Sequence, residues 1–179
     1  FSAALKDEAR SLGLERDVLF LGQRDDPENF YPGQDIVALT SLNEGTPLTL
    51  IEAMANERAV VARAVGGVVD LVGDETGAPL AQSREYALCE RGVSVSAGAL
   101  PRGFAAGLWT LVENEKVRRE MGARGRRFIE NHYSKERLIS DVTKLYQELL
   151  HTQTARPEGD LSTPATHLRA IKRTSLKEE

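Results

Sequence analysis

The chain has 179 residues, with 23 Lys and Arg against 27 Asp and Glu, and a formal charge of −4. Its length fits one domain, its hydrophobic content of 41% excludes global disorder, and its acidic balance argues against a nucleic-acid-binding protein. A single cysteine, Cys89, excludes an internal disulfide framework, and no apolar run approaches the roughly 18 residues of a membrane span.

Short, continuously apolar runs alternate with helical stretches along the first part of the chain. The runs cover residues 18–21, 36–39 and 59–62, and the helical stretches cover 2–12 and 47–56. Apolar runs without polar alternation are typical of parallel strands covered on both faces. Repeated strand–helix units predict an α/β fold with an open parallel sheet and helices on both faces. A fourth run, 92–96, leaves open whether it is a short edge strand.

The last part of the chain is predicted to be helical. Pro101 suits the first position of a helix that ends near Glu113, a second helix covers 115–131, and Ser134 is a good N-cap for a third. After His151 the helical periodicity is replaced by Thr, Pro, Gly, Ser and mixed charge. We therefore expect residues 1–151 to form the domain and residues 152–179 to be a disordered tail.

The segment 41–55 is the stretch of sequence that best indicates chemistry. It follows the predicted strand 36–39 and opens a helix, with Thr46 as the expected N-cap and Pro47 at the first helical position. The amide groups of the first helical turn are then free to bind an anion. Because open α/β sheets bind ligands at the carboxyl ends of their strands, the segment is predicted to hold a phosphate or diphosphate.

Two acids and a glycine pair lie near this helix start. Glu52 is the only charged residue within 47–55, and a buried carboxylate costs several kcal/mol unless it is bonded. The two hydroxyl groups of a ribose would donate hydrogen bonds to the Glu52 carboxylate. The position of Glu52 in the helix equally allows its side chain to lie on a narrow solvent-exposed face. Glu44 can reach a ligand that lies over the start of the helix. Alternatively, its negative charge merely interacts favourably with the N-terminal end of the helix dipole. Gly66 and Gly67 allow the backbone to approach a ligand, or form only a tight turn.

These residues resemble the signature of the retaining GT-B glycosyltransferases called glycosyltransferase family 4. The segment E-G-T-P-L-T-L-I-E-A-M-A begins at Glu44 and contains Glu52, with seven residues between the two acids. The flanking matches follow in the family's order, namely VLFLG at 18–22, Tyr31 with D-I-V at 35–37, V-G-G at 65–67, and MGARGR at 121–126 ahead of Tyr133 and Ser134. The likeness covers roughly residues 5–150.

The resemblance implies two facing Rossmann-like domains, with the nucleotide-sugar donor bound mainly by the C-terminal one. This chain resembles most of that C-terminal domain, without its first strand. Glu52 would hold the ribose hydroxyl groups, and Glu44 would match the catalytic acid near the donor sugar. The remaining donor-binding positions would be the backbone of Gly45, Thr46, Pro47 and Leu48, together with Gly66 and Gly67.

The resemblance also implies the reactants. The donor would be a UDP-, GDP- or ADP-sugar, the acceptor a glycan, a lipid or a small molecule, and no metal or other cofactor would be needed. In the family, the acceptor domain and the cations that offset the leaving diphosphate precede the segment matched here. Since the chain opens on Phe1 rather than Met, we expect a piece of a longer cytoplasmic protein that is inactive alone.

Several departures and alternatives remain open. Glu57 stands where the family has Gly, so the helix that ends there is expected to lack its usual left-handed residue, and 75–90 is interpreted as an inserted loop. The chain is alternatively a non-catalytic nucleotide-sugar-binding module, a pseudoenzyme fragment or a GT-B-related epimerase. The basic patch on 116–127 is either a solvated helix face or a peripheral contact for a lipid-linked acceptor at a membrane surface.

Overall fold

A four-stranded sheet organises the first of the two compact units of the chain. The computed structural model describes residues 2–77 and 85–154, and the chain divides after Ser134 into two units. The elements of the first unit are α1 (Ser2–Ser11), α2 (Pro27–Phe30), a 3₁₀ turn (Tyr31–Gly33), β1 (Ile36–Leu39), α3 (Leu48–Ala55), β2 (Ala59–Arg63), α4 (Val68–Val72), β3 (Tyr86–Leu88), β4 (Val93–Val95), α5 (Arg102–Glu113) and α6 (Glu115–His132). The second unit contains α7 (Lys135–Thr154).

The sheet has the strand order β1-β2-β4-β3. Strands β1, β2 and β4 are parallel, with Val37 opposite Val60 and Val61 opposite Val93. Strand β3 is antiparallel to β4, because only residues 89–92 join them and such a short connection cannot return the chain to a parallel strand. The predicted α/β fold is confirmed, with one antiparallel edge strand. The run 92–96 lies inside the sheet, and the presumed inserted loop 75–90 contains β3.

One predicted strand was wrong. Residues 18–21 pair with no strand of the described sheet, and Leu19 is 80% exposed. The N–H group of Val18 instead donates to the carbonyl of Leu14. Apolar composition alone had indicated a strand, but a strand also needs a neighbour to satisfy its backbone groups.

The helix boundaries differ from the predicted ones by small amounts. Helix α3 begins at Leu48, and its N-cap is Pro47 rather than Thr46, because Pro47 has extended dihedral angles of φ −73° and ψ 112°. Helix α7 continues to Thr154, so the first three residues of the expected tail are helical, and residues 155–179 lie outside the described part of the chain. No helix within 2–77 or 85–154 has the length and apolarity to cross a membrane.

The core of the first unit consists of two hydrophobic clusters, and β2 contributes to both. Val60 and Ala62 belong to the cluster that contains Leu50 and Met54 of α3. Ala59 and Val61 belong to the cluster that contains Phe104 and Leu111 of α5. Since side chains alternate between the faces of a strand, β2 is covered on both faces, as its uninterrupted apolar run had predicted.

Helix α6 packs closely against α3 through two glycines. A β-carbon at Gly122 would overlap the carbonyl oxygen of Glu57, and a β-carbon at Gly125 would lie 3.2 Å from Cγ of Met54. The absence of side chains at these two positions therefore sets how near the helices come. This contact holds the C-terminal end of α3 in place.

The C-terminus of α3 has its left-handed residue despite the lack of glycine. Glu57 adopts φ 60°, its N–H donates to the carbonyl of Met54, and the N–H of Arg58 donates to the carbonyl of Ala53. These two bonds are those of a Schellman motif. The expectation that Glu57 would remove the left-handed residue was wrong, because the hydrogen bonds and the packing of Gly122 against this backbone hold the conformation.

Replacing Glu57 by Gly is expected to stabilise the protein by about 0.5–1 kcal/mol. A left-handed residue with a β-carbon costs roughly 1–2 kcal/mol, and the greater backbone entropy of unfolded Gly offsets part of that gain. The ion pair between Glu57 and Arg126, at 3.6 Å and half-exposed, contributes about 0–1 kcal/mol. Chemical denaturation measures the change, and Glu57→Ala is the control because it removes the ion pair and keeps the strain. Equal stability of the two variants would contradict the prediction.

Candidate functional site

The loops that follow β1 and β2 meet at one edge of the sheet. The N–H of Gly67 donates to the carbonyl of Gly45 over 2.8 Å. A β-carbon at Gly66 would overlap the carbonyl oxygen of Glu44 and lie 2.9 Å from its carbonyl carbon. Both loops leave from the carboxyl ends of their strands, and these ends lie at the same edge of the sheet because β1 and β2 are parallel. The structure therefore brings the backbone of the predicted residues Glu44 and Gly45 into contact with the backbone of Gly66 and Gly67.

The N-terminus of α3 continues the first of these loops. The carbonyl of Pro47 accepts from the N–H groups of Leu50 and Ile51, at 3.1 and 3.3 Å. The amides of Leu48 and Thr49 have no backbone acceptor among the described residues, as is usual in a first helical turn. Free amides and the helix dipole are the two features that favour an anion at the N-terminus of a helix. The shift of the N-cap from Thr46 to Pro47 leaves this property unchanged.

Glu52 lies in the second turn of α3 and lines a cleft of about 230 Å³. Its side chain is half-buried, and no ion pair of its carboxylate is found among the described residues. The other residues that line the cleft are Leu21, Gly22, Arg24, Pro27, Phe30 and Tyr31. Ligand pockets usually measure roughly 300–1,000 Å³. The cleft is therefore large enough for part of a nucleotide sugar and too small for all of it.

Tyr31 is the buried polar residue of this cleft. It is 7% exposed, and its ring packs edge-on against that of Phe30, with centroids 5.3 Å apart. Burial raises the pKa of the Tyr31 hydroxyl, and the negative charge of Glu52 raises it further, while Thr49 opposes the shift. Tyr31 and Glu52 are neighbours in the lining of the cleft. Sequence reasoning placed Tyr31 only in a matching flank, and its position just ahead of β1 was the available signal.

Arg24 supplies the positive charge in the wall of the cleft. Its Nε donates to Oδ1 of Asp26 over 2.8 Å, and its guanidinium lies 5.9 Å from the centroid of the Phe30 ring. The hydrogen bond from Arg24 also lowers the pKa of the Asp26 carboxyl. The ion pair thus holds Arg24 at the cleft while Asp26 offsets its charge.

The two predicted acids remain separate in the structure. Glu44 is half-buried in the loop after β1, whereas Glu52 faces the cleft beside Tyr31. Among the described residues, no hydrogen bond or ion pair joins their carboxylates. The site consequently offers two acids with different surroundings, on either side of the first turn of α3.

The basic patch on α6 is largely paired within its own helix. Arg119 contacts Glu115 at 2.6 Å, and Arg126 contacts Glu130 at 2.7 Å. Pairs with a spacing of four residues are typical of a solvated helix face. The structure therefore favours the solvated face over a dedicated contact for a lipid-linked acceptor.

Known proteins share sequence and fold with this chain. The N-acetyl-alpha-D-glucosaminyl L-malate synthase of Bacillus anthracis is 30% identical over 143 residues, which cover 79% of this chain and 33% of that protein. The crystal structure of HepE from Anabaena in complex with UDP has a TM-score of 0.62 and 22% identity, over 87% of this chain and 37% of HepE. The C-terminal domain of the group 1 glycosyl transferase LpcC from Francisella tularensis has a TM-score of 0.59 and 23% identity, over 75% of this chain and 63% of that domain.

These likenesses differ in what they show. The two structural matches show a shared fold, and the chain spans about a third of the length of the curated relative. The family described as glycosyl transferases group 1 matches residues 2–128, a range that contains the sheet, both loops of the site and Glu52. The chain belongs to the glycosyl transferases group 1 family.

Proposed function

We propose that the chain is the donor-binding, C-terminal half of a retaining GT-B glycosyltransferase of family 4. The complete protein would transfer a sugar from a nucleoside diphosphate to a glycan, a lipid or a small acceptor. One observation carries the proposal: the loop at Glu44 and Gly45 packs against Gly66 and Gly67 directly before a helix whose second turn presents Glu52 to a cleft. The same edge of the sheet thus offers free amides for a diphosphate and a carboxylate for a ribose.

Glu52 is proposed to bind the ribose of the donor. The carboxylate is half-buried, lacks a cation among the described residues, and faces a cleft that fits part of a nucleotide. A carboxylate accepts hydrogen bonds from two hydroxyl groups at once, which a ribose presents side by side. The base would then occupy the part of the cleft beside Gly22 and Arg24.

The diphosphate and the sugar are proposed to lie over the start of α3. The backbone from Gly45 through Thr46 and Pro47 to Leu48 would face them, together with Gly66 and Gly67, whose backbone contacts this loop. Glu44 is proposed as the acid beside the transferred sugar. Stabilising the charge on the leaving diphosphate is the main requirement of such a site, and α3 contributes its N-terminal amides to it.

The remaining parts of the reaction are proposed from the family. We expect a UDP-, GDP- or ADP-sugar, and the UDP complex of HepE favours testing UDP first. We expect no metal cofactor, an N-terminal acceptor domain in the same polypeptide, and a cytoplasmic location, with a peripheral membrane contact if the acceptor is a lipid. No observation favours the pseudoenzyme or the epimerase.

Replacing Glu52 by Ala is expected to weaken nucleotide binding about ten-fold or more. Losing hydrogen bonds to a charged carboxylate costs roughly 1.5–3 kcal/mol, and every 1.4 kcal/mol or so is a factor of ten in affinity. Isothermal titration of the chain with UDP, GDP, ADP and their sugar conjugates measures the change and identifies the base.

The matched control is Glu113→Ala, which removes the same charge from the last residue of α5. We expect it to leave affinity unchanged or slightly higher, because less negative charge repels the diphosphate. The polypeptide encoded by the complete reading frame provides a second test. If neither it nor the folded chain binds any of the three nucleotides, the proposed function is wrong.

A further inference from the structure

We propose that Tyr31 is a positioning residue, whose hydroxyl orients the Glu52 carboxylate so that both of its oxygens face the ribose. This inference rests on the proposed function and assigns a part of the same site. Tyr31 and Glu52 belong to different elements, the 3₁₀ turn before β1 and the second turn of α3. Both line the cleft of about 230 Å³.

The surroundings of the Glu52 carboxylate leave its orientation to few partners. No Lys or Arg forms an ion pair with it among the described residues, and its side chain is only half-buried. A carboxylate on a flexible side chain rotates freely unless another group holds it. Tyr31 lines the same cleft as Glu52 and belongs to the hydrophobic cluster behind it, and the negative charge of Glu52 raises the pKa of its hydroxyl.

Tyr31 itself is held firmly enough to act as a reference. Its side chain is 7% exposed and belongs to the cluster that contains Val37, Leu50 and Met54. Phe30 packs edge-on against its ring. An aromatic side chain has few rotatable bonds, so a buried tyrosine presents its hydroxyl at one place. A rigid donor beside a mobile acceptor is the arrangement that preorganises the acceptor for a ligand.

A positioning role predicts an effect that a packing role does not. If Tyr31 orients Glu52, removing its hydroxyl should weaken the recognition of the ribose hydroxyl groups and leave the rest of the nucleotide unaffected. The informative ligands are therefore the tightest-binding diphosphate among UDP, GDP and ADP, and its 2′-deoxy form.

The test is calorimetric titration of both ligands into the chain and its Tyr31→Phe variant. In the original chain we expect the ribonucleotide to bind about ten-fold tighter than its 2′-deoxy form. Tyr31→Phe should reduce this ratio to about three-fold or less, through weaker binding of the ribonucleotide alone. In the Glu52→Ala background, Tyr31→Phe should change neither affinity, because the two residues act as a unit.

Two variants accompany this measurement. Tyr133→Phe removes a hydroxyl from an exposed tyrosine that is not part of the cleft, and we expect it to leave the ratio unchanged. If Tyr31→Phe does not fold, Thr49→Val carries the test, because Thr49 is the other group that interacts with the Tyr31 hydroxyl. It is expected to lower the same ratio.

The outcomes separate this inference from the function on which it rests. An equal loss of affinity for both ligands in Tyr31→Phe, or no loss, overturns the positioning role and leaves the proposed function intact. If the original chain binds the 2′-deoxy form as tightly as the ribonucleotide, Glu52 does not hold the ribose 2′-hydroxyl and the positioning role is wrong, whereas nucleotide binding itself still supports the proposed function. A fall in the ratio that vanishes in the Glu52→Ala background supports both.

Discussion

Replacing Gly66 by Ala is expected to lower the free energy of unfolding by roughly 2–4 kcal/mol and to weaken binding of the diphosphate at least ten-fold. Gly66 has φ +50°, and a β-carbon there would overlap the carbonyl oxygen of Glu44. The two loops would have to separate, which breaks the hydrogen bond from Gly67 to Gly45 and moves the start of α3. Chemical denaturation and calorimetric titration measure the two effects on the same preparation.

Gly13→Ala is the matched control for this substitution. Gly13 also has a positive φ of +70°, but a β-carbon there meets nothing within 4 Å. The control therefore measures backbone strain alone, which costs roughly 1–2 kcal/mol, and it should leave binding unchanged. If Gly66→Ala is no less stable than Gly13→Ala and binds as the original chain does, close contact between the loops is not what builds the site.

Replacing Gly122 by Ala is expected to lower the free energy of unfolding by roughly 2–3 kcal/mol. A β-carbon at Gly122 would overlap the carbonyl oxygen of Glu57 and lie 2.8 Å from its carbonyl carbon. The neighbour is main chain at the hydrogen-bonded end of α3, so it cannot turn aside as a side chain would. The clash should outweigh the gain in helix propensity of about 1 kcal/mol that Ala brings over Gly.

Gly125→Ala provides the comparison within the same helix. Its β-carbon would lie 3.2 Å from Cγ of Met54, and methionine is flexible enough to adjust. We expect a change within about 1 kcal/mol, since the gain in helix propensity offsets mild crowding. Urea denaturation measures the free energy of unfolding of the two variants. Equal destabilisation would mean that the main chain at Glu57 does not obstruct a β-carbon at Gly122.

The sequence predicts the strands that are buried on both faces of the sheet. It fails where the pairing of one strand with another determines whether a strand forms. Strands β1 and β2 follow from their apolar runs, and β2 has both faces covered. The run 18–21 has the same composition but no partner in the described sheet, and composition does not contain that information. The short helices α2 and α4, with four and five residues, are too short for periodicity to reveal.

The candidate site was predictable as far as it lies on one continuous segment. Glu44, Gly45 and the start of α3 follow from a strand, a loop and a helix in succession, and the contact with Gly66 and Gly67 follows from parallel strands. Tyr31 was not predictable in this way, because it reaches Glu52 from an earlier turn through tertiary packing. Whether each of these residues binds the donor remains a prediction for the titrations above.

Glu57 shows why a residue-type rule can mislead while the backbone pattern holds. Glycine is preferred at the left-handed position after a helix, yet two main-chain hydrogen bonds and the approach of Gly122 produce that conformation in a glutamate. The helix end is thus determined by its surroundings rather than by the local residue.

The contact between Gly45 and Gly67 is formed by backbone atoms alone. Side chains near it can therefore change without breaking it. The neighbouring side chains of Leu42 and Leu48 are 78% and 69% exposed, so they do not support the loop that carries them. Substitutions at such positions can alter the shape and polarity presented to a ligand while the amide framework stays in place. The architecture thus separates the backbone contacts that hold the two loops together from the exposed side chains that can vary, and it allows one scaffold to acquire new ligand specificities.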